Sequence, residues 1–204
     1  MDKALFNWIN HLAQATPWMH TATLGYAGFG VVLFALLLLA GWWLARRHGA
    51  GMTAAVWAPI GTLLAVAVNQ PIVAAVNEPR PYTSVPHILV LSAPSADPSF
   101  PSDHATMAGA VAAGLLLVNR RLGLLAMVAA LAMGFARVYI AAHYPQDVLA
   151  GYAVGAAVTL LGYAVARAPL SWLLDRLLRT RLRPLLQTSP RTADRALAGR
   201  AAGS

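Results

Sequence analysis

Two histidines, two arginines, two aspartates and one serine, held in three short runs, are the residues whose types and spacing suit chemistry. The runs are Glu78-Pro79-Arg80-Pro81, Phe100-Pro101-Ser102-Asp103-His104, and Arg137 followed by His143 and Asp147. The chemistry they suit is phosphoryl transfer. Negative charge there spreads over the equatorial phosphate oxygens and is met by cations and oriented N–H donors. Arg80 and Arg137 each offer a planar fork of donors. Pro101 and Ser102 precede a helix expected to begin near His104. Such a start leaves backbone N–H groups unpaired and carries the positive end of the helix dipole, and the Ser102 hydroxyl adds a donor. His143 has a carboxylate four residues on, with Pro145 between them as a natural first helical residue. Asp147 then falls in the first helical turn, where it accepts from one imidazole nitrogen and leaves the other free to attack phosphorus. His104 is placed to protonate the departing oxygen and then to activate water against a phosphohistidine. Asp103 is the odd member. A carboxylate beside an anion is unfavourable unless it pairs with an arginine or caps the helix.

Taken singly, each residue has an ordinary reading. Arg80 or Arg137 would pair with Glu78 or a lipid phosphate, Asp103 or Asp147 would cap a helix, and loop histidines such as His11, His20 and His87 would lie on the surface. Two His, two Arg, one Ser and one Asp in a fixed order on one face do not fit that reading together.

The elements that position these groups are membrane spans. The 204 residues are 58% hydrophobic and only 11% charged, against about 25% charged in an average soluble domain. A formal net charge of +8 raises the possibility of nucleic acid, but the arginines flank long apolar runs, so no nucleic-acid partner is expected. There is no cysteine, which excludes disulfides and thiolate chemistry. A hydrocarbon core about 30 Å thick needs roughly 20 apolar residues per helix. Residues 23–45, 53–76, 122–140 and 148–166 meet or approach that, and 105–118 does so if extended at its ends. Residues 53–76 are interrupted by Pro59, Asn69, Gln70 and Pro71, which also admits a broken transporter-type helix. Recurrent glycines in the last three segments (Gly109, Gly114, Gly134, Gly151, Gly155) read as close helix packing.

Arg46, Arg47, Arg120, Arg121, Arg167 and the Arg-rich tail alternate onto one side, which should be the cytoplasm. Of fifteen Lys and Arg residues, only Lys3, Arg80 and Arg137 fall on the other. That side also receives the three reactive runs, so topology brings them to one membrane depth. The expected fold is an all-α integral membrane bundle of five transmembrane helices plus an N-terminal amphipathic helix. Residues 1–20 form the interfacial helix, with an ordinary packed helix as the alternative. Residues 21–168 form the catalytic bundle, and 169–204 form a basic cytoplasmic tail, disordered from Gln187 onward. The N-terminus does not read as a cleaved signal. The expected partners are a phosphorylated lipid and the surrounding membrane lipids, and the sequence does not define an oligomeric state.

The same residues resemble the type 2 phosphatidic acid phosphatase (PAP2) superfamily, which also includes the soluble vanadium haloperoxidases. The family pattern is Lys-x6-Arg-Pro, Pro-Ser-Gly-His and Ser-Arg-x5-His-x3-Asp. Here Pro101-Ser102-Asp103-His104 and Ala136-Arg137, then His143 and Asp147, stand for the last two. The resemblance implies a six-helix core, a phosphohistidine intermediate, no metal and no other cofactor. The catalytic residues would be His143, His104 and Asp147, with Arg80, Arg137, Ser102 and Asp103 around the phosphate. This chain departs from the pattern with Val73 for the lysine, Ala136 for the serine and Asp103 for the glycine. Asn69 and Asn77 are the neutral donors available to replace the lysine. The runs at 78–81, 99–106 and 143–151 look like those of the bacitracin-resistance branch of undecaprenyl-diphosphate phosphatases. That branch implies hydrolysis of undecaprenyl diphosphate to the monophosphate at the outer face of the bacterial plasma membrane, for peptidoglycan synthesis.

Overall fold

The structure is a computed structural model that describes residues 3–48 and 51–187. Among these the regular elements are all helices: α1 Lys3–Ala15, a 3-10 turn Pro17–Met19, α2 His20–His48, α3 Met52–Val76, α4 Pro81–Ser84, α5 Asp103–Val118, α6 Arg120–Tyr139, α7 Pro145–Leu177 and α8 Arg183–Leu186. Four segments are long and apolar enough to cross a membrane: Pro17–His48, Met52–Ser84, Arg120–Tyr139 and Pro145–Leu177. The fifth expected span, α5, has 16 residues and is shorter.

The reason for its brevity lies in its position. α5 packs against α2, α3, α6 and α7 and forms the axis of the bundle, and ten of its sixteen residues are buried. Small side chains allow that density. Helices in lipid gain little from apolar burial as such and associate through close backbone approach. An added Cβ at Gly109 would lie 2.9 Å from the Tyr152 backbone, and one at Gly151 would lie 2.7 Å from the Ser102 carbonyl. At Gly155 it would overlap the Thr106 carbonyl. Gly155→Ala is therefore expected to destabilise the bundle by about 1–3 kcal/mol. Gly25→Ala, where nothing lies within 4 Å, is the comparison, and thermal unfolding in detergent reads both.

α3 runs unbroken through Pro59 and Pro71, so the broken-helix alternative is not what the chain adopts. It stops at Asn77, which takes the left-handed conformation (φ 48°) common at helix C-termini. α7 begins at Pro145 and continues past residue 168 to Leu177, through Pro169. Its 33 residues span roughly 50 Å, well beyond the hydrocarbon. At the far end of the bundle, Arg46 and Arg47 lie over Trp42 and Trp43, and Arg176 lies 4.2 Å from the Trp172 ring. Such aromatic and basic pairs suit a headgroup layer.

α1 buries Phe6, Ile9, Asn10 and Ala13, while Leu5 and Trp8 on its other face are exposed. Asn10 clasps the backbone of Leu89 in both directions, Nδ2 donating to the carbonyl (2.7 Å) and Oδ1 accepting from the N–H (3.0 Å). Phe6 meets the Tyr144 ring edge-on at 5.3 Å. The first helix thus fixes both the α4–α5 loop and the turn before α7. The disorder expected of the tail falls, beyond Gln187, outside the described residues.

Candidate active site

Three segments carry the reactive residues to one end of the bundle. Arg80 precedes α4, residues 99–104 lead into α5, and the α6–α7 turn carries Arg137 to Asp147. The α6–α7 turn is tight. The Ala142 and His143 N–H groups both donate to the Arg137 carbonyl (3.1 and 3.3 Å). Ala141 sits at φ 62°, a left-handed conformation that costs an alanine about 1–2 kcal/mol. Burial holds it there and folds His143 back over Arg137. The loop closes on the same place: Ser99 N–H donates to the Glu78 carbonyl (2.7 Å), and Leu91 and Ser92 N–H donate to that of Ile140 (3.3 and 3.0 Å).

These segments enclose a cavity of about 370 Å³ whose wall includes Arg80, Asp103, His104, Arg137 and His143. Asp147 and Ser102 do not line it; they lie behind it, fully buried. His143 is 3% exposed. Its Nδ1 is 2.8 Å from the Ser99 carbonyl, which can only accept, so Nδ1 carries the proton. Nε2 therefore presents its lone pair. Arg137 Nη2 donates to that nitrogen at 3.2 Å and Arg80 Nη1 at 3.4 Å. Two guanidinium groups thus converge on one unprotonated ring nitrogen. Arg80 is further fixed by donating to the Asp97 and Ala142 carbonyls (2.8 and 3.2 Å).

The expected direct contact between Asp147 and the imidazole is replaced by a bridged one. Asp147 Oδ2 is 3.7 Å from Nδ1, too long for a hydrogen bond. Ser99 stands between them. Its carbonyl takes the Nδ1 proton, and its hydroxyl donates to Asp147 Oδ2 at 2.5 Å. Asp147 also accepts from the Tyr144 N–H (2.8 Å), closing the first turn of α7. Ser99 stood in the sequence three residues before Ser102 with no role attached, because its partners lie 44 and 48 residues away.

Burial pushes the His143 imidazole below its ordinary value, with Arg137 and Arg80 acting in the same direction and Asp147 opposing them. An imidazole acts as a nucleophile only in its neutral form, so a lowered value would keep such a form available at lower pH. The acid limb of kcat/KM is expected below about pH 6.5, the ordinary histidine value. Ser99→Ala removes one hydrogen bond to a carboxylate, worth about 1.5 kcal/mol, and should lower kcat/KM about tenfold. It leaves Asp147 less neutralised, so the acid limb should move upward. A pH–rate profile of both proteins measures the two effects together.

Asp103 pairs neither with an arginine nor with a backbone N–H. Its Oδ1 accepts from Asn69 Nδ2 (2.7 Å) and Gln70 Nε2 (2.9 Å). Asn69 also donates to the Pro101 carbonyl (3.2 Å). Both of its amide protons are thereby committed, so Asn69 is no substitute phosphate donor for the missing lysine. The available signal was the presence of two side-chain amides inside an otherwise apolar span, where polar groups are expensive without a partner. Around the site, the Ser92, Ser102 and Tyr144 hydroxyls and Arg137 Nε are buried donors that face no protein acceptor. Among the described residues no three His, Asp or Glu side chains gather as metal ligands.

Residues 54–170, which hold all three reactive segments, match the PAP2 superfamily. The chain belongs to that superfamily. The PAP2 segment begins inside α3 and ends inside α7, so it takes in the axial helix and every lining residue of the cavity except those of α2. Undecaprenyl-diphosphatase BcrC of Bacillus subtilis (strain 168) is 31% identical over 166 residues, covering 79% of this chain and 82% of the relative. A lipid A 1-phosphatase of Rhizobium johnstonii is 41% identical over 95 residues, covering 42% of this chain and 39% of that protein. The crystal structure of Aquifex aeolicus LpxE superposes with a TM-score of 0.65 at 22% identity, covering 79% of this chain and 93% of the other, and so shares the PAP2 fold.

Proposed function

We propose that this PAP2 phosphatase hydrolyses undecaprenyl diphosphate to undecaprenyl phosphate and inorganic phosphate through a phosphohistidine at His143. The observation that carries the reading is the His143 ring, with its Nδ1 proton held by Ser99 and its Nε2 lone pair presented between two guanidinium groups. When substrate enters, Arg80 and Arg137 exchange that nitrogen for the phosphate oxygens. Nε2 attacks the terminal phosphorus, and the bond to the bridging oxygen breaks. His104 gives the leaving lipid monophosphate its proton. Asp147, through Ser99, stabilises the positive charge on the phosphorylated ring. His104 then takes a proton from water, which attacks the same phosphorus and returns His143 with inorganic phosphate released. The first turn of α5 supplies further N–H donors toward the anion.

The choice of substrate is supported by the BcrC relative, whose likeness runs over about four-fifths of the chain. A site at the membrane surface suits it, since each methylene drawn out of the bilayer costs about 0.8 kcal/mol. The basic residues Arg46, Arg47, Arg120 and Arg121 gather at the opposite end of the bundle, which supports a cavity at the outer face of a bacterial plasma membrane. The exposed Leu5 and Trp8 of α1 would then rest in the outer interface. A second reading, lipid A 1-phosphatase, is favoured by the higher local identity to the Rhizobium protein, although that match covers 39% of it.

The test is phosphate release by purified protein in detergent, without added metal. The panel is undecaprenyl diphosphate, lipid A, phosphatidic acid and phosphatidylglycerol phosphate. The highest kcat/KM is expected for undecaprenyl diphosphate. Preference for any other member would replace the substrate, and no turnover of any would leave a lipid-phosphate binding protein.

A further inference from the structure

His104 stands in the first turn of α5 and lines the phosphate cavity. That turn is not fixed by a cap of its own. Ser102, at the N-cap, makes no capping hydrogen bond with its side chain. Two neighbouring helices hold the turn instead. From α7, the Asp147 carbonyl accepts the Ser102 N–H at 3.0 Å. From α3, one amide straddles the turn. Asn69 Nδ2 donates to the Pro101 carbonyl (3.2 Å) and to Asp103 Oδ1 (2.7 Å), the residues on either side of Ser102. Gln70 Nε2 adds a second donor to the same carboxylate oxygen (2.9 Å). Asp147 also backs His143 by way of Ser99, so both histidines are held against one residue of α7.

Asn69 is fully buried and lies in the membrane-capable segment Met52–Ser84. Its two acceptors, a carbonyl and a carboxylate, cannot donate, which fixes the orientation of the amide. Its own Oδ1 is buried with no partner. A polar group at such a place is unfavourable, and an apolar residue of similar size would avoid the orphaned acceptor. An unsatisfied buried group calls for an explanation, and here it lies in what the other end of the amide grips. Asp103 is the handle. It is exposed and lines the cavity with Arg80, His104 and Arg137. A carboxylate there repels the substrate anion, so phosphate binding does not account for it. Its bonds back to α3 do.

We propose that Asn69, with Gln70, is a positioning residue for His104, holding the start of α5 through Asp103 and the Pro101 carbonyl so that the imidazole stays within reach of the departing oxygen. The proposal rests on the reading of His104 as proton donor and says what keeps it in place. A misplacement of about 1 Å by a group remote from the chemistry is enough to cost about a hundredfold in rate, and no other side chain among the described residues donates to Asp103 or to the Pro101 carbonyl.

The experiment is a double-mutant cycle on undecaprenyl diphosphate in detergent. Asn69→Leu should lower kcat by about tenfold to a hundredfold. KM should stay within about twofold, because the bonds that fix Arg80 and Arg137 do not involve Asn69. In the His104→Ala background the same substitution should change kcat by no more than about twofold, since no imidazole is left to misplace. Losses that multiply in the double variant would make Asn69 a structural residue only and overturn the proposal. A raised KM with unchanged kcat would overturn it too. A folded His104→Ala protein with unchanged turnover would instead overturn the reading of His104 itself. Asp103 is exposed, so Asp103→Ala carries the same cycle should Asn69→Leu fail to fold. Asp103→Asn keeps a side-chain oxygen for both amides and should stay within about threefold of wild type. A loss as large as that of Asp103→Ala would show that the charge matters and not the grip, which also overturns the proposal.

Discussion

His143→Ala is expected to lower phosphate release by at least about a thousandfold and to leave no labelled phosphoenzyme. No other side chain lining the cavity presents a neutral nitrogen between two guanidinium groups, so nothing takes over the attack. His104→Ala should behave differently. It loses proton transfer on both half-reactions, about 10²–10⁴-fold, yet keeps the nucleophile. With a substrate whose leaving group needs no proton, it should accumulate phosphohistidine that wild type turns over. Rapid-quench trapping from labelled diphosphate separates the two. A His143→Ala protein that still forms an acid-labile phosphoenzyme would refute the nucleophile assignment, and a folded His104→Ala protein with unchanged turnover would remove His104 from the reaction.

Arg137→Gln is expected to lower kcat/KM by about 10²–10³-fold, as loss of one preorganised donor to the transition-state oxygens does. It should also raise the thermal stability of the empty protein. In the absence of substrate, Arg80 and Arg137 point at one nitrogen, and Arg137 Nε is buried with no acceptor. Like charges at that spacing and an unpaired buried donor are both unfavourable. An anion relieves both, so inorganic phosphate should stabilise wild type, by about 2.7 kcal/mol at a hundred times its dissociation constant. The variant should lose most of that shift. Melting curves in detergent with and without phosphate decide it, and an undiminished phosphate shift would show that Arg137 does not hold the anion.

The site couples function to strain that the rest of the bundle supports. The left-handed Ala141, the convergent arginines and the orphaned Ser102 hydroxyl are each unfavourable alone. They persist because α5 is clamped among its neighbours through glycine contacts and because α1 pins the loop above the cavity by way of Asn10. An anion in the cavity would turn the convergent arginines into satisfied interactions.

Much of this could be read along the chain. Apolar segments separated by arginines define membrane helices because hydropathy is summed locally. The parity of those segments then puts Arg80, His104, Arg137 and His143 at one end whatever the packing details. The tertiary structure decided the rest. Helix α7 runs on to Leu177 although its apolar run ends at Ala166, because backbone hydrogen bonds are indifferent to an arginine that can reach the headgroups. Which ring nitrogen of His143 is free depends on the Ser99 carbonyl 44 residues away, and the partner of Asp103 is an amide 34 residues away. Spacing says that a carboxylate lies near a ring. Only packing says whether they touch, since a hydrogen bond is made or lost within half an ångström and no sum over neighbouring residues resolves that distance.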